Sequence, residues 1–351
     1  MSWENNIRKV VPYTPGEQTK DTQVIKINTN ECPYPPSPLV QEAMKQMDYD
    51  RFRLYPEPAC DSLVESIATY HQVDKDQVFV GVGSDDVISM AFLTFFNGGK
   101  NVLFPDITYS FYDVWADVYK IPYEKVALDA DFRILAKDYY KDNGGIIFPN
   151  PNAPTGVSEP LSLIEDILDH NPDSVVIVDE AYVDFGGDTA LALIDRYENL
   201  LVVRTFSKSR SMAGLRIGYA IGNKKLIKYL SDVKFSVNSY TMNMPSLVLG
   251  PLSIKDDEYF KATVAKVVNT REWMKAELTK LGYTFPDSKS NFVFATHSKY
   301  KATDIMDYLR ANKILVRHFK SDRINNYLRI SVGTDEQAKK LIDALTAFVN
   351  K

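Results

Sequence analysis

The sequence predicts an α/β protein, with a large unit built on a mostly parallel sheet between helices and a smaller α/β unit at its C-terminal end. Three observations carry that expectation. Short, continuously apolar runs rich in branched residues (VFVG, NVLFP, GIIFP, VVIVD, NLLVVRT) recur from residue 78 onward, and runs without alternation mark strands buried on both faces. Helical patterns separate most of them, as crossovers between parallel strands require. The polar signatures GSDD, NPNAPTG, DEAY and FSK fall at the ends of these runs, where open parallel sheets bind their ligands.

Taken in order, VFVGVG leads into the helix DDVISMAFLTFF, NVLFPD into TYSFYDVWADVY, and GIIFPN into LSLIEDILDH. VVIVDE, NLLVVRTFS and RIGYAIG supply three further strands. Past Pro251 the helix DDEYFKATVAKVVNTREWMKAELTKLG opens the smaller unit. The strand NFVFATH, the helix ATDIMDYLRANK, the strands ILVRHF and YLRISVG, and the helix TDEQAKKLIDALTAFVN complete it. The proline-rich segment from Thr29 to Pro38 reads as an extended arm. The expected division is an N-terminal segment, 1–38, lying with the small unit, a large unit over 39–252, and a small unit over 253–351.

Composition narrows the function. A chain of 351 residues that is 45% hydrophobic can fill a sizeable core. Its net charge of -5 and its dispersed Lys and Arg residues give no basic stripe, which argues against nucleic acid as a partner. No run approaches the roughly 18 apolar residues of a membrane span, and MSWENNIRKV has no apolar signal region. A cytoplasmic protein is expected. Cys32 and Cys60, with four scattered histidines, make no zinc-like spacing, so free thiols and no metal are expected. Three motifs mislead. VVIVDE has the form of a nucleotide-hydrolase strand, but the chain has no P-loop; GVGSDD places Asp86 where a dinucleotide fingerprint needs glycine. Asp184-Phe185-Gly186 matches a kinase triplet without its catalytic loop, and reads as a turn.

The chemistry centres on VVRTFSKSRSMAGLRIG. An amine at a strand end, Lys208, beside Ser207 and ahead of Arg216, suits an aldehyde cofactor that carries a phosphate. Alone it reads more readily as a solvated surface lysine. Asp179, at the end of VVIVD, could pair with a pyridine nitrogen and keep it protonated, or could simply cap a turn. Tyr182 could donate to the ring's phenolic oxygen. Ser84 and Asp85 open a helix whose backbone N–H groups could cradle a phosphate, although Ser84 would also serve as a plain cap. Tyr109 could stack on a flat ring or sit in the core. Their joint order at successive strand ends, more than any one of them, points to a site.

In that order, DITYSFY, NPNAPTG, VVIVDEAY and TFSKSRSMAGLRIGY resemble the blocks of the class I and II aminotransferases, pyridoxal-phosphate enzymes of fold type I, along essentially the whole chain. Within that family VPYTPGEQ, INTNECPYPPSP, RLYPEPACDSLVESIA, GVGSDDVI and ILVRHF…YLRISVGT are most similar to the histidinol-phosphate branch. The resemblance implies pyridoxal 5'-phosphate as cofactor, with Lys208 as its Schiff-base lysine and Asp179 on the pyridine nitrogen. It further implies Tyr182 on the ring hydroxyl, Tyr109 stacked on the ring, and Ser84, Asp85, Ser207 and Arg216 on the phosphate. Tyr55, in RLYPEP, would reach the phosphate bound by the other subunit of a homodimer. One position departs: the family usually has asparagine immediately before P-T-G, and here that residue is Ala153. Either Asn152 supplies the amide, which is the favoured expectation, or Tyr182 acts alone.

For the substrate, the resemblance implies that Arg329, in YLRISVG, grips a substrate carboxylate. Arg317, in ILVRHF, could face the same cleft, or form a surface salt bridge. Two guanidinium groups exceed the need of one carboxylate but suit a phosphorylated amine and glutamate or 2-oxoglutarate bound in turn. Tyr13 and Asn30 are further expected substrate contacts. The activity implied is ping-pong transamination between histidinol phosphate and 2-oxoglutarate. Its alternatives on this scaffold are an aromatic or broad-range aminotransferase and a lyase similar to threonine-phosphate decarboxylase. A ligand sensor would carry an added DNA-binding domain, which the residues preceding VPYTPGEQ leave no room for, so that reading is not expected.

Overall fold

The computed structural model describes residues 2–350. Its largest element is a seven-stranded sheet in the order Val78–Gly81, Gly218–Gly222, Leu200–Thr205, Val176–Asp179, Gly145–Pro149, Val102–Pro105, Tyr123–Val126. Only Gly218–Gly222 runs against its neighbours; the remaining pairings are parallel. The central strands are buried throughout because helices cover both faces. Val176 and Val178 pack into one core, and Ile177, between them, packs into the other. The same two-sided burial makes VVIVD apolar without alternation.

Because six strands point the same way, their C-terminal ends form one edge. That edge carries Gly83 and Ser84 after the first strand, Tyr109 after Val102–Pro105, Asn152 after Gly145–Pro149, Asp179 itself, and Lys208 after Leu200–Thr205. The helix Ser84–Phe95 starts on this edge, with Gly83 rather than Ser84 as its cap.

A second sheet of four antiparallel strands has the order Arg317–His318, Tyr327–Ser331, Phe292–His297, Tyr283–Thr284. It shares a core with the helices Asp257–Lys280, Ala302–Ala311 and Asp335–Val349. ILVRHF, expected as one strand, is two. Ile314–Leu315 pairs in parallel with Ile25–Lys26, and after Val316 the chain turns to pair Arg317–His318 with Tyr327–Ser331. Segment 29–37 has neither helix nor strand, yet it is no free arm, since Asn28 and Asn30 are almost wholly buried. Pro251 lies inside the helix Met244–Lys255 rather than in a linker.

Candidate active site

A cavity of about 190 Å³ opens at this strand edge. Ser84, Asp85, Tyr109, Asp179, Tyr182, Ser207, Lys208 and Arg216 line it, so eight of the side chains singled out in the sequence converge there. Asp179 ends one strand and Lys208 lies three residues past the end of its parallel neighbour, and the two, 29 positions apart in sequence, line the same space.

Asp179 is a nearly buried acceptor. Its Oδ2 receives the Tyr112 hydroxyl at 2.9 Å, and its Oδ1 receives the Ala181 N–H at 3.2 Å. Burial pushes its carboxyl up to about 6, while those two donors pull the other way. No Lys, Arg or His forms an ion pair with it among the described residues, so a protonated ring nitrogen would be the cation this carboxylate lacks. Among the described residues Lys208 Nζ has one hydrogen-bond partner, the Thr29 carbonyl at 3.4 Å, and it lies 5.7 Å from the centre of the Tyr182 ring. Tyr182 Oη accepts a hydrogen bond from Asn30 Nδ2 at 3.0 Å, which leaves its own O–H available as a donor.

The opposite end of the cavity has the chemistry of an anion cradle. Arg216 Nη1 donates to Ser207 Oγ at 3.3 Å, and Nη2 lies 3.5 Å from the Asp85 carboxylate, which also accepts the Tyr109 hydroxyl at 2.8 Å. The N-terminus of Ser84–Phe95 adds backbone donors and a positive dipole end. The packing there leaves no room for side chains: a Cβ on Gly218 would lie 2.2 Å from the Gly83 and Ser84 backbone, and one on Gly83 would lie 2.2 Å from Arg216. A carboxylate acceptor, an amine and a cradle of arginine, serine and helix N–H groups therefore match the pyridine, aldehyde and phosphate of pyridoxal phosphate in turn.

Six expected residues do not line this cavity. Asn152 commits both amide hydrogens, to the Ile107 carbonyl at 2.9 Å and Thr155 Oγ1 at 3.0 Å, and Ala153 forms the wall instead. Asn152 is thus not free to supply the amide of the favoured expectation, and the alternative, Tyr182 acting alone, is the one these contacts fit. Asn30 is held against Tyr182 and Ser331. Tyr13 stacks on Phe111 with ring centres 4.1 Å apart. Tyr55 is 82% exposed and packs on Tyr240.

Arg317 and Arg329 are direct partners across antiparallel strands, which puts both guanidinium groups on one face. Arg317 donates to the Thr14 and Pro15 carbonyls, and Arg329 Nε is buried with no hydrogen-bond partner. Burial and the neighbouring Arg317 both work against the Arg329 charge. Arg329 Nη2 donates to the Asn28 carbonyl at 3.2 Å, and two neighbouring cations with one buried donor left without a partner among the described residues suit an anion.

Sequence reasoning missed Thr29 and Glu31, which line the cavity, and Tyr112, which holds Asp179. Tyr112 had a signal, its position three residues after Tyr109 at the start of a helix. The other two had none, because the chain folds back from the small unit to bring them in.

The model of the family described as aminotransferase class I and II matches residues 22–345, and the chain belongs to that family. Two relatives of nearly equal length, both histidinol-phosphate aminotransferases, refine the placement. The protein from Lactococcus lactis subsp. cremoris (strain MG1363) is 48% identical, over 99% of this chain and 98% of its own length. That from Clostridium botulinum (strain Hall) is 49% identical, over 99% of each. Among solved structures, histidinol-phosphate aminotransferase from Sinorhizobium meliloti in complex with pyridoxal-5'-phosphate superposes with a TM-score of 0.84 at 21% identity, over 93% of this chain and 91% of that one. At that identity the likeness concerns the fold. The class works with pyridoxal phosphate, and the donor set of the cavity fits it.

Proposed function

We propose that the chain transfers the amino group of histidinol phosphate to 2-oxoglutarate, giving imidazole acetol phosphate and glutamate. The observation that carries this reading is one cavity lined by Lys208 and Asp179, together with the facing arginines Arg317 and Arg329. When bound, pyridoxal phosphate supplies an aldehyde to hold the amine and a ring to withdraw electrons from the reacting carbon.

The chain's residues divide the remaining work. Lys208 Nζ would hold the aldehyde and, when free, would move a proton to and from the substrate carbon that bears nitrogen. The Asp179 carboxylate keeps the ring nitrogen protonated, and Tyr112 fixes the orientation of that carboxylate. Tyr182 would donate to the ring oxygen, and Tyr109 would cover the ring. The backbone of Ser84 and Asp85, with Ser207 and Arg216, holds the phosphate. Arg317 and Arg329 grip the substrate phosphate in one half-reaction and a carboxylate of 2-oxoglutarate in the other, with Tyr13 closing over the substrate.

The working unit is a homodimer on this reading. Tyr49, Phe52, Leu54 and Tyr55 form an exposed aromatic and aliphatic stretch. It meets Tyr240, near the exposed Phe235 and Val237, through the contact between Tyr55 and Tyr240. An apolar patch of that kind is an interface in search of a partner. A second copy would cover it and bring its own Tyr55 to the phosphate.

Rapid mixing of the loaded enzyme with single amines tests the substrate. The cofactor's visible band should collapse with histidinol phosphate and with glutamate, and persist with phenylalanine. Faster loss with phenylalanine would move the chain to the aromatic aminotransferases. Carbon dioxide release from O-phosphothreonine, without an oxo acid, would make it a lyase.

A further inference from the structure

The sequence marks Asn30 as a substrate contact, but the structure gives its side chain other partners. Its backbone N–H donates to Ser331 Oγ at 2.9 Å; the Ser331 hydroxyl proton in turn goes to Asn30 Oδ1, also at 2.9 Å. That pairing leaves the Asn30 amide hydrogens facing Tyr182 Oη, at 3.0 Å. The Asn30 carbonyl accepts from Asn291 Nδ2 at 3.0 Å, so both ends of the residue are tied to the small sheet. Asn30 is 1% exposed and sits at φ +57, a left-handed conformation that asparagine tolerates far better than most residues.

We propose that Asn30 is a positioning residue for Tyr182: by donating to Oη it turns the tyrosine's own O–H toward the cofactor's ring oxygen. This rests on the role given to Tyr182 above. The need for such a clamp is plain in this chain. The cavity wall in the same apolar cluster as Tyr182 is Ala153, which has no donor, and both amide hydrogens of Asn152 are spent elsewhere. A phenol is free to rotate its proton, and an unclamped Tyr182 would share it among competing acceptors. An oxygen that accepts one hydrogen bond is also polarised into a better donor of the next. Ser331 lies two residues beyond Arg329 on the same strand. The clamp therefore ties the strand that grips the substrate anion to the tyrosine that touches the cofactor.

The test is a pH titration of the visible absorption band of the loaded enzyme, which reads the cofactor's own ionisation without turnover. A donor on the ring oxygen stabilises its anionic form, so losing the donor raises the midpoint. Tyr182→Phe should raise it. Asn30→Gly keeps the left-handed backbone and removes the donor without adding charge; it should raise the midpoint by roughly 0.5 to 1 pH unit. Asn30→Asp keeps the Ser331 contact and draws the tyrosine proton to itself, giving a second variant should the glycine chain load poorly. In a Tyr182→Phe background the Asn30→Gly shift should vanish. Glu31, Asp85, Asp179, Lys208 and Arg216, the other ionisable acids and bases lining the cavity, are the same in every variant. A silent Asn30→Gly alongside an active Tyr182→Phe overturns the clamp alone, as does an Asn30→Gly shift of unchanged size in the double variant. A silent Tyr182→Phe overturns the role of Tyr182 as well.

Discussion

Asp179 sits where burial favours a neutral acid, yet its assigned work needs a carboxylate. With its carboxyl pushed up to about 6 from the usual 3.8, the cofactor-free fold holds the proton to a higher pH than the unfolded chain does. That contribution to stability is fully present below about pH 4 and is lost as the pH rises through about 6, a change on the order of 3 kcal/mol. The melting temperature of the apoprotein should therefore fall between pH 4 and 6.5 by more than that of Asp179→Asn. Equal slopes would show that the carboxyl is not buried as described. Cofactor affinity should move the opposite way, rising through pH 6 as the carboxylate becomes available to a pyridinium. At the neighbouring amine, Lys208→Ala should still bind the cofactor but turn over at least about 100-fold more slowly in steady-state assays. Normal turnover by that variant would remove the lysine from the mechanism.

At the scale of elements, the site depends on how closely the helix Ser84–Phe95 approaches the antiparallel strand Gly218–Gly222. Gly218→Ala sets a methyl group 2.2 Å from the Gly83 and Ser84 backbone, so the helix must move away from the cradle. Cofactor affinity, followed by absorbance, should weaken by about tenfold or more, equivalent to at least roughly 1.4 kcal/mol, and the melting temperature should fall with it. The strands that shape this region were legible because double burial makes them apolar without interruption. The edge strand Tyr123–Val126, reading YEKV, was not legible, since one of its edges faces solvent and its composition is half polar. ILVRHF was legible as extended chain but not as two strands, because its division depends on which partner each half meets. The site shows the same limit. Residues at or just past a strand end, such as Asp179 and Lys208, stand out by position, whereas Thr29, Glu31 and the clamp at Asn30 arise from a long-range return of the chain.

For the whole molecule, the exposed patch around Tyr55 predicts association. Sedimentation should give a dimer at micromolar concentrations, and a stable monomer would contradict the shared site. Shared sites also allow a mixing experiment. Lys208→Ala and Tyr55→Ala homodimers should each be weak, but a hybrid of the two contains one site with both native residues and should recover up to half the activity of the unaltered dimer. No recovery would mean that Tyr55 serves its own subunit or none. The central claim is narrower than any of these: the amine of Lys208 and the carboxylate of Asp179 address a single pyridine ring. Loading the enzyme with cofactor labelled with ¹⁵N at the ring nitrogen, and recording its chemical shift by NMR, measures this directly. The nitrogen should be protonated in the unaltered enzyme and unprotonated in Asp179→Asn, with the cofactor still attached to Lys208 in both. A ring nitrogen whose state ignores Asp179 would contradict the account.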